Sequence, residues 1–143
     1  ADPDNKTLVE DCFRLLINTH NLRDLDGFAC FYLEFLIRNH HENQLCTVYK
    51  RVAVIMPDYI PDTAELCHTL ANALFQRGDS KAAAKMLQGL HTRFPAYANT
   101  DKAYLLMAQC LEALPNMQAQ ADKYRVFAQR LEQKKNVHNT VFL

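Results

Sequence analysis

Apolar residues recur along this chain three to four positions apart, with polar residues between them. That spacing buries one face of an α-helix. The cleanest stretch is 64–95, where Leu66, Leu70, Ala71 and Leu74 share one face and Gly78-Asp79 interrupts. A second stripe follows at Ala83, Met86, Leu87 and Leu90, ahead of Pro95. Glycine can close a helix in the left-handed conformation, and proline cannot continue one. The stretch therefore predicts a helical hairpin. Its two stripes are wider than one partner helix can cover, so the hairpin is expected to bury them by stacking on similar units.

Helices on either side are predicted in the same way. Asn5 or Thr7 opens the first, with Glu10 three residues after Thr7 to complete a capping box; Leu8, Cys12, Leu15 and Leu16 form its stripe, which fades at 18–21. Asp24 or Asp26 opens a second helix through Phe28, Phe31, Tyr32, Phe35 and Leu36, and it stops near Asn39-His40-His41. The third covers about 42–56 on Leu45, Tyr49, Val52 and Ala53; Pro57 ends it and 59–62 is a short connector. Beyond Pro95 and a connector at 96–100, a helix over about 101–113 carries Tyr104, Met107, Ala108 and Leu111. Pro115-Asn116 turns the chain into a last helix, about 118–134, on Ala121, Tyr124, Phe127, Ala128 and Leu131.

The 64–95 hairpin resembles the tetratricopeptide repeat (TPR). Leu70-Ala71, Leu74, Gly78-Asp79, Ala83, Leu87, Leu90 and Pro95 stand where that family has Leu-Gly, an aromatic, Gly-Asp, Ala, an aromatic, Ala and Pro. Cys67 replaces a large aromatic, and Leu90 replaces a small residue that lets helices approach. Residues 26–57 resemble a degenerate copy: Leu33, Leu36, Leu45, Tyr49, Val52 and Pro57 fit, while His40-His41-Glu42-Asn43 takes the place of Gly-Asp. In 101–134, Tyr104, Ala108, Leu111 and Tyr124 match a third copy, with Pro115 in place of the turn glycine. The starts near 26, 64 and 101 are spaced slightly wider than the family's roughly 34 residues. The resemblance implies an all-α, right-handed α-solenoid of about three TPR-like hairpins plus an N-terminal helix, about seven helices in all. One domain over 1–143 is expected, with 1–4 and 136–143 as frayed ends.

For function, the resemblance implies a concave face, lined by the first helix of each hairpin, that binds another protein. Carried over position by position, that face holds Phe31, Glu34 and Arg38 in the first copy and His68, Asn72, Phe75 and Gln76 in the second. The third contributes Lys102, Leu105, Gln109 and Glu112. A mixture of aromatic, aliphatic, amide and charged groups suits an extended peptide or an amphipathic helix. Phe31 and Phe75 serve equally well as core. Some members of the family clamp a terminal carboxylate with Lys and Asn side chains. Here Asn72 and Lys102 fit that role, but Glu34 and Leu106 stand where further donors are needed. A carboxylate needs several converging donors, so a heat-shock-chaperone co-factor is not expected.

Charge adds one feature. The 16 acids and 16 bases cancel, yet eleven acids face six bases through Glu65 and five face ten after it. An ordinary solvated surface accounts for this; so does a polarised surface that steers a partner or stacks head to tail. The bases are interspersed with acids in no sustained stripe, which argues against nucleic acid. No apolar run approaches the ~20 residues that span a bilayer, and no signal-peptide pattern stands at the start. Cys12, Cys30, Cys46, Cys67 and Cys110 are odd in number and widely spaced, without a Cys-x-x-Cys pair. Buried thiols in a reducing, cytoplasmic compartment explain them better than a disulfide framework. Asn5-Lys6-Thr7 is a formal glycosylation triplet with no secretory signal to support it. The chain begins with Ala rather than Met. Together with the charge asymmetry, this motivates a competing reading as a soluble scaffolding part, possible homo-oligomer included, of a larger, membrane-attached protein.

Reactive groups give little. His40 and His41 lie near Cys46, but adjacent histidines diverge on a helix and structural zinc wants four closed ligands, so a polar turn is expected there. Cys67 and His68 are neighbours that diverge by about 100° on a helix, with no third residue to orient the histidine. A Gly-rich phosphate loop and a paired-carboxylate motif are both missing from the sequence. Catalysis, metal binding and a cofactor are not expected. The terminal Val141-Phe142-Leu143 either packs back or frays, or docks on a sheet edge or in a neighbour's groove.

Overall fold

The computed structural model describes residues 5–141, with side chains through Val137, and shows helices and connectors with no strand among them. In order these are α1 (Lys6–Asn18), α2 (Leu22–Arg38), a 3-10 turn (Glu42–Gln44) leading into α3 (Leu45–Ile55), and α4 (Ala64–Gln76). Then come α5 (Ser80–Leu87), the single-turn α6 (Leu90–Arg93), α7 (Thr100–Glu112) and α8 (Gln118–Val141). The all-α class read from the apolar spacing is what the chain adopts. Its residues gather into two compact units, Ala1–Asp62 and Thr63–Leu143.

In the first unit α2 packs on both α1 and α3. Phe13, Leu25, Ala29, Leu33, Leu36 and Val52 are fully buried, each large apolar side chain contributing roughly 1.5–3 kcal/mol by leaving water. Phe13 meets Tyr32 edge-on at 5.0 Å, and the Arg51 guanidinium lies 4.9 Å from its centroid. This contact decides which way α1 faces. The expected stripe of Leu8, Cys12, Leu15 and Leu16 is not the buried one: Val9 and Phe13 are buried, Leu16 is half-buried, and Leu8 and Leu15 are 62% and 64% exposed. Helix α1 carries two apolar stripes, and the one with the aromatic ring takes the interior.

Helix starts also differ from expectation. Asn5 holds the cap position of α1 with a left-handed φ of 60°, but its side chain accepts no cap hydrogen bond. Thr7 lies inside the helix and Glu10 pairs with Lys6 at 3.7 Å, so no capping box forms. Helix α2 starts at Leu22, ahead of both predicted openers, because the Asn21 side chain accepts from the Asp24 N–H. Asp24 then sits in the first turn, where a negative charge is favoured.

In the second unit α5 packs against α4 and α7, α7 against α8, and α4 touches α7. The α4–α5 reversal is tight. Gly78 takes φ 84°. The Asp79 N–H donates to the Leu74 carbonyl and the Gly78 N–H to that of Phe75, both at 2.9 Å; this is the Schellman pattern of a helix end. Asp79 then caps α5 by accepting from the Ala82 N–H at 3.2 Å. The stripe from Ala83 to Leu90, expected on one helix, is split between two. Gly89 at φ 68° ends α5 and starts α6, and Arg93 Nη2 donates to the carbonyls of Met86 and Gln88 at 2.9 and 3.0 Å. The guanidinium thereby satisfies oxygens that a helix end leaves open.

Helix α8 has 24 residues against 13 in α7, about 36 Å against about 20 Å of length. It passes the predicted end at Lys134 and runs to Val141. Of the Val141-Phe142-Leu143 segment, Phe142 and Leu143 lie outside the described residues, as do 1–4. The α8 stripe is only partly covered: Ala121 and Ala128 are buried, Tyr124 and Leu131 half-buried, and Phe127 is 37% exposed.

Candidate functional site

Two helices of the second unit position most of the candidate groove residues. Helix α4 is capped by Thr63, whose hydroxyl accepts from the Leu66 N–H at 3.2 Å. It buries Leu66, Cys67, Leu70, Ala71 and Leu74. The remaining face holds Asn72 and Gln76, exposed, with His68 and Phe75 half-buried. Their spacing of four, three and one residues puts all four on one side of the helix. In α7 the interior takes Ala103, Tyr104, Leu106, Met107, Ala108, Cys110 and Leu111, and leaves Lys102, Leu105, Gln109 and Glu112 exposed. Leu106, where a carboxylate clamp would need a donor, is core.

Electrostatics tie the two sets together at one end. His68 Nδ1 lies 2.9 Å from the Tyr97 hydroxyl, with the rings edge-on at 5.9 Å. Burial first and the Lys102 ammonium second hold the imidazole below its ordinary range, while Asp101 acts in the opposite direction. Burial raises the Tyr97 hydroxyl above its usual value. At the other end Glu112 is occupied, its carboxylate accepting from Arg125 Nε at 2.8 Å and from Arg125 Nη2. Asp101, 7% exposed, pairs with Lys135 at 3.1 Å.

The first-copy candidates Phe31, Glu34 and Arg38 lie on α2, in the first unit, and all three are exposed. Phe31 is 45% exposed and leans on Phe28 and Phe35, with centroids 5.6 and 6.3 Å away. It is the outer rung of an aromatic ladder along α2. Phe75 is half-buried, so neither phenylalanine is fully interior.

The thiols divide. Cys46, Cys67 and Cys110 are buried, Cys30 is half-buried and Cys12 is exposed on α1, the last against expectation. Burial pushes the Cys110 thiol up to about 11 and raises Cys30 as well, so both stay protonated and poorly nucleophilic near neutral pH. Cys67 points into the core, with Arg93 Nη1 3.8 Å from its sulfur, while His68 turns to Tyr97. Among the described residues no three His, Cys, Asp or Glu side chains gather as a metal site, and no helix is long and apolar enough to cross a membrane.

Three contributors escaped sequence reasoning: Tyr97, Arg93 and Arg125. Tyr97 sits in a connector and the two arginines between stripes, where apolar periodicity carries no information. Also unforeseen is an open groove between α6 and α8, described below. No family model matches the chain, and neither a curated protein nor a solved structure matches it.

Proposed function

We propose that the chain is a non-catalytic protein-interaction module. In this reading it is a short right-handed solenoid of TPR-like hairpins that holds a peptide or amphipathic helix of a partner along α4 and α7. One observation carries it: two successive hairpins each bury one stripe of their first helix and leave a mixed stripe beside it. The amides of Asn72, Gln76 and Gln109 can both donate to and accept from a main chain, and Phe75 and Leu105 offer apolar seats. The packing order α4 on α5, α5 on α7, α7 on α8 supports stacked hairpins. Phe31, Glu34 and Arg38, in the first unit, are groove candidates through the family resemblance alone. Such a module acts as an adaptor, assembly factor or chaperone-like subunit, and five free thiols suit a reducing, cytoplasmic setting.

The test is Asn72→Ala combined with Phe75→Ala. Proteins captured from native lysate by the wild-type chain are identified, and the strongest is titrated against both forms. The double variant should bind about tenfold or more weakly, the loss expected from a central contact pair, with a nearly unchanged unfolding temperature. Collapse of the unfolding temperature would return both side chains to the core and remove the groove.

A second reading is a soluble oligomerisation or scaffolding domain of a larger, membrane-attached protein. The exposed Leu8, Cys12 and Leu15 on α1 favour it, with the acidic-to-basic charge asymmetry. Sedimentation at low and high salt separates the two. A monomer under both conditions leaves the first reading standing alone.

A further inference from the structure

Helix α8 leaves part of its apolar surface uncovered. Val126, Phe127 and Val137 are 46%, 37% and 64% exposed. Where α6 meets the second half of α8, His91, Phe127, Leu131 and Val137 line an open groove of about 880 Å³, together with Arg130 and Lys134. The floor is held in place: Phe127 contacts the rings of His91 and Tyr104 at 5.5 and 5.4 Å, and the His91 N–H donates to the Tyr104 hydroxyl at 3.0 Å. His91 Nδ1 is buried and has no hydrogen-bond partner among the described residues.

The charge around this groove is one-sided. Over 118–137 α8 carries two acids, Asp122 and Glu132, against five bases. Arg125 is engaged by Glu112 and Lys135 by Asp101. Lys123, Arg130 and Lys134 pair with no carboxylate among the described residues. Lys123, Val126, Phe127 and Arg130 line an adjoining shallower groove with Asp122, whose carboxylate accepts from Gln118. The result is an apolar trough flanked by two unneutralised cations, Arg130 and Lys134, with a third, Lys123, in the adjoining groove.

We propose that the α6–α8 groove is a second docking site, and that its occupant is an amphipathic helical segment of another protein with Asp and Glu beside its apolar residues. Apolar side chains would fill the trough in the helix-in-groove mode, while carboxylates neutralise Lys123, Arg130 and Lys134. Helix α1 of a second copy is a poorer match. Its exposed stripe has Lys6 paired with Glu10 and Arg14 with Asp11, so it brings no surplus of negative charge. None of the α4 and α7 candidates lines this groove, so the site stands or falls independently of the function proposed above.

The probe is a fluorescein-labelled helix about four turns long, with leucines at i, i+3, i+4 and i+7 and glutamates elsewhere. It is compared with the same peptide carrying lysine for glutamate and with phosphatidylserine vesicles. Anisotropy should show binding of the glutamate peptide only, weakening as salt rises. Arg130→Glu with Lys134→Glu changes two exposed positions and should weaken binding about tenfold or more, while circular dichroism shows the helices intact. Asn72→Ala with Phe75→Ala should leave this binding unchanged. The proposal is overturned by equal binding of the lysine peptide, by indifference to charge reversal, by absence of binding at millimolar peptide, or by retention on vesicles alone.

Discussion

After α2 the chain turns at His40, and after α4 it turns at Gly78. Both residues lie in the left-handed region, at φ 62° and 84°. In each turn the next residue donates back to a leucine carbonyl: His41 N–H to Leu36 at 2.7 Å, Asp79 N–H to Leu74 at 2.9 Å. Both leucines are fully buried. The second hydrogen bond also matches, His40 N–H to Ile37 at 3.2 Å and Gly78 N–H to Phe75 at 2.9 Å. The difference comes one residue later. Asp79 caps α5 with its side chain; the His41 side chain makes no cap hydrogen bond, and a 3-10 turn precedes α3. One backbone device thus has two spellings. A buried leucine and the open carbonyls of a helix end set the geometry, and glycine lowers its cost.

The largest effect tests that equivalence. Leu36→Ala and Leu74→Ala should each cost about 3 kcal/mol, the usual toll for emptying a full leucine site, by chemical denaturation. A cost below about 1 kcal/mol for either would break the parallel between the turns. Next in size is Gly78→Ala. An added Cβ meets no atom within 4 Å, so the penalty is backbone conformation alone, about 1–2 kcal/mol for an L-residue at positive φ. A neutral result would mean the left-handed turn is not what holds α5 on α4. Smaller still is His40→Gly, where relief of left-handed strain is offset by glycine's greater freedom in the unfolded chain. The net should be a gain of no more than about 0.5 kcal/mol. A loss greater than about 1 kcal/mol would give the His40 side chain a contact role that Gly78 lacks.

These turns also show what could be read from the letters. Gly78-Asp79 announced its reversal because both residue types are cheap where they stand. Asn39-His40-His41 announced a polar turn as well, but without a glycine to mark the residue at positive φ, so residues 26–57 match the repeat pattern poorly. Every helix except the single-turn α6 was legible. The face of α1 was not: Leu8, Cys12, Leu15 and Val9, Phe13 are two stripes of one helix, and only the meeting of Phe13 with Tyr32 chooses between them. The same holds for the split at Gly89, which a leucine stripe running through to Leu90 concealed. Of the candidate residues on α4 and α7, exposure followed from the buried stripes opposite. Their anchors did not, because Tyr97 and Arg125 come from elements that periodicity does not relate to α4 or α7.

The smallest effect separates histidines by their surroundings. His40 is exposed in its turn, whereas His68 is half-buried against Tyr97, and burial and then Lys102 lower its pKa below the ordinary 6.5. The unfolded chain therefore takes up the proton first. This group's contribution to stability is complete above about pH 6.5, shrinks as pH falls from there toward the lower folded-state value, and is constant below it. His68→Gln should remove that part of the acid slope, seen as the difference between wild-type and variant unfolding curves collected from about pH 7 to pH 5. Lys102→Gln should shallow the slope without abolishing it, since burial is the larger cause. Asp101→Asn is a poorer probe because it also strands Lys135. If the wild-type-minus-His68→Gln difference stays flat, or rises on acidification, the imidazole is not held neutral by this setting, and the link drawn between α4 and α7 through Lys102 is lost with it.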